Sequence, residues 1–196
     1  YLVDNGIDAY FEWNDELSWY PHGKNVSQFS QVMLHLTAAT TYWIFGFGTN
    51  LYDFTILFPV IFGSLTSIIV FALVRVIGGT TAGLFSALLF SVSLPIIVRG
   101  QIGWFKSEPL GLFFSILAVY LFLSGIQSKN HKIVIFKIIA AGIFVIFGLS
   151  AWGGDQFFIV PIGIFLLTLP FLRSDHKFLI WTIPLFTLST ISTSLL

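Results

Sequence analysis

Cysteine is absent from this 196-residue chain, which excludes disulfides and thiolate metal sites. Charge is almost as scarce: 9% of residues are charged, against 56% hydrophobic and 18% aromatic. So little charge cannot cover the surface of a soluble globule. The nine basic and nine acidic residues cancel, which removes the basic footprint nucleic acid would need and any acidic excess toward a cationic partner. No secretory leader is visible in residues 1–16, which are acidic and aromatic rather than basic and then apolar, and whatever segment inserts first is expected upstream. Tyr1 is not an initiator methionine and Leu196 ends inside an apolar run, so the chain reads as a fragment of a longer protein.

What is present is apolar sequence in long runs, with a mean hydropathy of +0.92. The expected class is all-α and integral to the membrane, a multi-span helical bundle. Six runs approach the ~20 residues a spanning helix needs: 54–74, 82–98, 109–126, 133–151, 157–172 and 178–196. Pro59, Pro95, Pro161 and Pro184 fall inside them, where neighbouring helices satisfy the freed backbone groups. A shorter candidate, 32–47, carries His35, threonines and Gly46, and hydropathy leaves it open between a span and a surface helix. His35 itself reads as a satisfied polar residue rather than a metal ligand.

Cations give the orientation. Lys129, His131 and Lys132 in one break and Arg173, His176 and Lys177 in another lie two helices apart, so both groups, with Arg75, can face the cytoplasm. The breaks at 99–108 and 152–156 then face outward, together with the start of the first span. If 32–47 lies along the outer surface, residues 1–30, dense in tryptophan and tyrosine, face outward too. Residues 1–52 are thus expected as an external loop with an interfacial helix, and 53–196 as the membrane domain.

The polar chemistry gathers on that outer side. Arg99, Lys106 and Glu108 lie within ten residues. Charges there cost energy and mark function. Pro109 disfavours helical geometry at Glu108, which is therefore expected to cap a helix beginning at the proline. The residues allow a snorkelling loop of ordinary charges, or a site handling a phosphorylated lipid in which Glu108 holds a divalent cation through hard oxygen. Trp152, Gly153 and Gly154 form a second outward cluster, with paired glycines for close backbone approach and a flat indole. Helix punctuation is the plainer reading of that turn, and binding the sharper one.

Taken together, Trp13-Asn14-Asp15-Glu16-Leu17-Ser18-Trp19-Tyr20-Pro21-His22-Gly23, the approach from Pro95 through Arg99 to Glu108, and Ser150-Ala151-Trp152-Gly153-Gly154 resemble three ordered segments of the catalytic subunit of oligosaccharyltransferase, especially its archaeal forms. The resemblance implies a helical bundle of the GT-C glycosyltransferase type. It also implies transfer of an oligosaccharide from a polyprenyl (dolichyl) phosphate or diphosphate carrier to the asparagine of Asn-x-Ser/Thr, with Mn²⁺ or Mg²⁺ as cofactor. The implied partners are the bilayer, a lipid-linked oligosaccharide donor and an acceptor polypeptide; the implied location is the cell membrane, with the site on the extracytoplasmic face. Segment 32–47 then belongs to the external loop.

By the same resemblance, Glu108 takes the second acidic position of an Asp-x-Asp/Glu motif and is the metal ligand. Lys106 stands at the first, a departure, since an ammonium repels a cation. Arg99 and Lys106 are carried over to the carrier phosphate or to pairing with a ligand. Trp152, Gly153 and Gly154 are candidate donor contacts, and Trp19, Tyr20 and Pro21 a scaffold in the external loop. Asp155 stands where relatives often have an aromatic residue. The first acidic motif, a later glutamate and a soluble C-terminal domain would lie outside 1–196, so the segment alone is expected to be inactive. Two other readings fit the composition: a different polyprenyl-phosphate-sugar glycosyltransferase, and a secondary transporter. Against the transporter, no carboxylate falls mid-span and Lys137 is the one charge inside a run.

Overall fold

The computed structural model describes residues 1–172 and 176–195. Arg173 and the side chains of His176 and Lys177, among the expected cytoplasmic markers, lie outside what is described.

Residues 1–30 are more ordered than a plain aromatic loop. Helix α1 (Leu2–Glu12) leads into a ribbon of two-residue strands, β1 (Asn14–Asp15) and β2 (Lys24–Asn25), paired antiparallel with Asn14 opposite Asn25. A single turn, α2 (Val26–Phe29), follows, capped by the Asn25 side chain, which accepts from the Gln28 amide. Helix α3 (Val32–Phe45) then packs on α1 through Leu2, Tyr10 and Ala39.

Helix α4 (Leu51–Ser91) is a helical hairpin rather than one straight rod. Gly79 breaks it with φ 83° and ψ 178°, a conformation that only glycine reaches without strain. The arms return on each other: the Ser67 and Ser91 hydroxyls meet at 3.0 Å, and Gly83 packs against Phe71 and Arg75. The expected unbroken run over 82–98 is corrected. Its helix stops at Ser91 and resumes as the short α5 (Leu94–Arg99), since Ser93 is extended and Pro95 fits only a first turn.

Four helices carry the rest: α6 (Ser107–Ile126), α7 (His131–Ala151), α8 (Gln156–Leu172), entered through a 3-10 turn at Gly153–Asp155, and α9 (His176–Ser194). Among the described residues, α4, α6, α7 and Gly153–Leu172 are long and apolar enough to cross a bilayer. Exposed Ile68, Phe85, Leu89, Phe136 and Leu167 give the bundle the apolar outside that lipid requires. Inside, α6 and α7 form the central antiparallel pair. One core, around Ala118, Phe122, Ile138, Ala141, Ile162 and Phe186, joins them to α8 and α9. A second, around Leu34, Phe58, Phe62, Leu110, Phe114 and Ala151, joins their other end to α3 and α4. This second core carries the polar residues picked out by sequence.

Candidate functional site

The site is built on the loop from α5 to α6. Gly103 donates its amide to the Ile56 carbonyl of α4 at 3.0 Å, and Phe105 sets its ring edge-on to Phe58 at 5.3 Å. The contact falls beside Pro59, whose ring leaves the helical ladder one donor short. The loop is therefore fixed to α4 at both its backbone and an aromatic side chain.

Helix α6 starts earlier than the proline rule implied. Lys106 is the N-cap residue and Ser107 opens the helix, so Glu108 lies inside the first turn and does not cap it. Pro109 is accommodated because first-turn amides have no intrahelical acceptor to lose. Glu108 keeps the favourable half of the expectation, since a carboxylate in the first turn faces the positive end of the helix dipole.

Arg99 and Glu108 meet directly: Nη1 donates to Oε1 at 3.0 Å, with side chains 54% and 18% exposed. The other carboxylate oxygen, Oε2, is buried and has no hydrogen-bond partner. A buried acceptor left unsatisfied costs about 1–3 kcal/mol, more when charged. Trp104 lies between the cations, with Arg99 at 5.9 Å and Lys106 at 5.7 Å from its ring, and its indole N–H is also buried and unpaired. Two cations, one indole and a half-occupied carboxylate thus share one corner.

The turn after α7 closes on the same end of the bundle. Trp152 donates its amide to the Gly148 carbonyl at 2.8 Å and ends α7 with extended backbone. Its Cβ packs against Gly111, one turn into α6 from Glu108, and its ring folds back over Gly154. Trp152, Gly153 and Gly154 are therefore set against α6, which carries Glu108 in its first turn. By contrast, Trp19 and Tyr20 are 77% and 87% exposed, at the tip of the β1–β2 loop with Pro21 and Lys24 near. Their side chains project from the segment, with the Lys24 ammonium 5.7 Å from the Trp19 ring.

Some participants escaped the sequence reading. Tyr10 donates to or accepts from His35 Nδ1 at 2.8 Å and touches Ser30 at 3.3 Å, so His35 is held as a satisfied polar residue. Burial pushes its imidazole below the ordinary range and the Tyr10 phenol above it. Both line a cavity of about 430 Å³ that extends to Asp15, Lys24, Thr55 and Phe105. Asp155 is fully enclosed between α6 and α7, which an outward turn did not suggest. Lys137 reaches the Ser124 hydroxyl at 3.0 Å at the opposite end of the pair.

Residues 1–195 match the family described as oligosaccharyl transferase STT3, N-terminal. The chain belongs to this family. It is 26% identical over 172 residues to the dolichyl-diphosphooligosaccharide–protein glycosyltransferase subunit STT3B of Arabidopsis thaliana, covering 86% of this chain and 23% of that protein. It is 28% identical over 196 residues to subunit STT3 of Dictyostelium discoideum, covering 97% and 27%. The chain thus spans about a quarter of the length of the curated relatives it matches. Among solved structures it resembles the Archaeoglobus fulgidus oligosaccharyltransferase in complex with Zn and sulfate, at TM-score 0.73 and 21% identity over 93% of this chain and 24% of that one. It also resembles AglB from the same organism, with an inhibitory peptide and a dolichol-phosphate, at TM-score 0.75 and 18% identity over 93% and 23%. Those likenesses establish the multi-span GT-C membrane fold.

Whether this STT3-family segment fits a divalent cation is answered by its donor set. Among the described residues no three His, Asp or Glu side chains converge. Glu108 Oε2 is buried and unpaired, which suits one ligand position, while Oε1 is taken by Arg99 and the motif's other position holds Lys106.

Proposed function

We propose that this segment is the donor-side membrane region of an oligosaccharyltransferase, which transfers an oligosaccharide from a dolichyl phosphate or diphosphate carrier to the asparagine of Asn-x-Ser/Thr. The observation that carries the reading is the corner at the start of α6, in a chain belonging to the STT3 family: Glu108 gives Oε1 to Arg99 and keeps Oε2 buried with no hydrogen-bond partner. The site is assigned to the extracytoplasmic face of a multi-pass membrane protein, from the cation parity of the breaks.

Each residue then has a task. Glu108 offers Oε2 as one ligand to Mn²⁺ or Mg²⁺, the remaining ligands coming from outside this segment. Arg99 holds Oε1 and fixes the carboxylate plane. When bound, the cation supplies Lewis-acid stabilisation of charge at the reacting centre. Lys106, exposed beside Trp104, cannot ligate it and is assigned to the carrier phosphate, where an ammonium is attracted rather than repelled. The Trp152 turn presents the adjoining wall to the carrier. Trp19, Tyr20 and Pro21 are left as a surface for parts of the protein beyond this segment.

The test uses the full-length protein in membranes with a lipid-linked oligosaccharide and a fluorescent Asn-x-Thr peptide. Glycopeptide formation supports the assignment; a folded, donor-binding protein that glycosylates no peptide overturns it.

A further inference from the structure

Asp155 is the one fully buried carboxylate among the described residues, and the proposed chemistry leaves it unused. It is 0% exposed, and neither Oδ1 nor Oδ2 makes a well-formed hydrogen bond, the Ser115 hydroxyl standing beside the carboxylate as a weak partner. Its place is specific. A Cβ added at Gly111 would fall 2.6 Å from Trp152 Cβ and 2.8 Å from Asp155 Oδ2; one added at Gly148 would fall 2.6 Å from Ser115 Oγ and 2.7 Å from the same Oδ2. The Asp155 side chain therefore fills a slot that exists because α6 and α7 present only Gly111, Ser115 and Gly148 there. The Asp155 amide donates to the Trp152 carbonyl at 3.0 Å, which closes the turn above the plug.

Among the described residues no charge compensates it. On α6 the nearest ionisable group by sequence is Glu108, itself acidic and paired with Arg99; on α7 it is Lys137, held by Ser124 toward the other end of the pair; α8 has none. Enclosing an ionised carboxylate without a partner costs far more than enclosing the neutral acid. The group thus works by shape, as a flat polar plug about the size of an amide.

We propose that Asp155 is a positioning residue: its enclosed side chain locks the Trp152–Gly154 turn to α6, so that the indole and Glu108 keep a fixed relation at one end of the bundle. The consequence for catalysis rests on the reading of that turn as a contact for the lipid-linked donor. Removing the plug frees the turn and weakens donor binding, while the groups at the start of α6 remain in place.

The experiment uses the full-length enzyme in nanodiscs, with Asp155→Asn, Asp155→Ala and Asp155→Ser. Two readouts are taken: donor KM and kcat, and the ¹⁹F resonance of fluorotryptophan at position 152, assigned with Trp152→Phe. Asn, which keeps the shape, should leave the resonance unmoved and donor KM within about twofold. Ala and Ser should broaden or shift the resonance and raise donor KM about fivefold or more, with kcat at saturating donor little changed. If Ala fails to assemble, Ser decides by the same criteria. The proposal is overturned if Ala and Ser leave the resonance and KM as in the wild type. It is equally overturned if Asn matches Ala and both lose affinity for Mn²⁺, which would make the carboxylate a ligand. The resonance is read without turnover, so failure of the transferase assignment alone leaves it interpretable.

Discussion

Gly148→Ala should be strongly damaging to the α6–α7 seam. Its new methyl would fall 2.6 Å from Ser115 Oγ and 2.7 Å from Asp155 Oδ2, where ordinary contact begins at 3.4 Å. Each neighbour would have to yield about 0.8 Å at once, and both are short side chains enclosed in the α6–α7 seam. Overpacking of this kind costs about 1–3 kcal/mol. Gly163→Ala is the control, because no atom lies within 4 Å of its added methyl. There the substitution should be neutral or gain the roughly 0.5–1 kcal/mol that alanine has over glycine in a helix. Equilibrium unfolding of the full-length protein in mixed micelles would compare them, and Ser115→Ala in the Gly148→Ala background should recover part of the loss. Equal stability of Gly148→Ala and Gly163→Ala would refute the close approach of α6 to α7.

Lys106→Gln should raise donor KM several-fold and leave Mn²⁺ affinity unchanged, measured by donor and metal titrations; unchanged donor KM removes Lys106 from the carrier phosphate. His35, whose imidazole is held below the ordinary range by burial, binds fewer protons folded than unfolded. Its contribution is therefore full above about pH 6.5 and lost as pH falls through the folded value. Limited proteolysis of residues 1–50 against pH should show that loss, and His35→Gln should flatten it. Gly79→Ala should strain the α4 hairpin by about 1–3 kcal/mol, read as lower thermal stability.

Sequence carried the helix ends of α6 and α7 closely, because both runs are apolar throughout and flanked by polar breaks. It carried α4 less well. Hydropathy counts residues per span but cannot register that one positive φ at Gly79 turns two runs into a single bent element. The 82–98 run shows the limit in reverse, since Val92 and Ser93 are apolar or small enough to pass as helix while their backbone leaves it. For the site, the grouping of Arg99 with Glu108 was legible from spacing, and the N-cap was misplaced by two residues because a proline at the third helical position looks like a start. The Asp155 plug was not legible. Its slot depends on Gly111, Ser115 and Gly148 from two other helices, a coincidence in space that has no local signature.

The account's central claim concerns Glu108. The most direct measurement is Mn²⁺ titration of glycopeptide formation by the full-length protein and its Glu108→Gln variant. The account predicts a metal requirement raised by about 10–100-fold in the variant, with partial recovery at high Mn²⁺. Superimposable titration curves would contradict it.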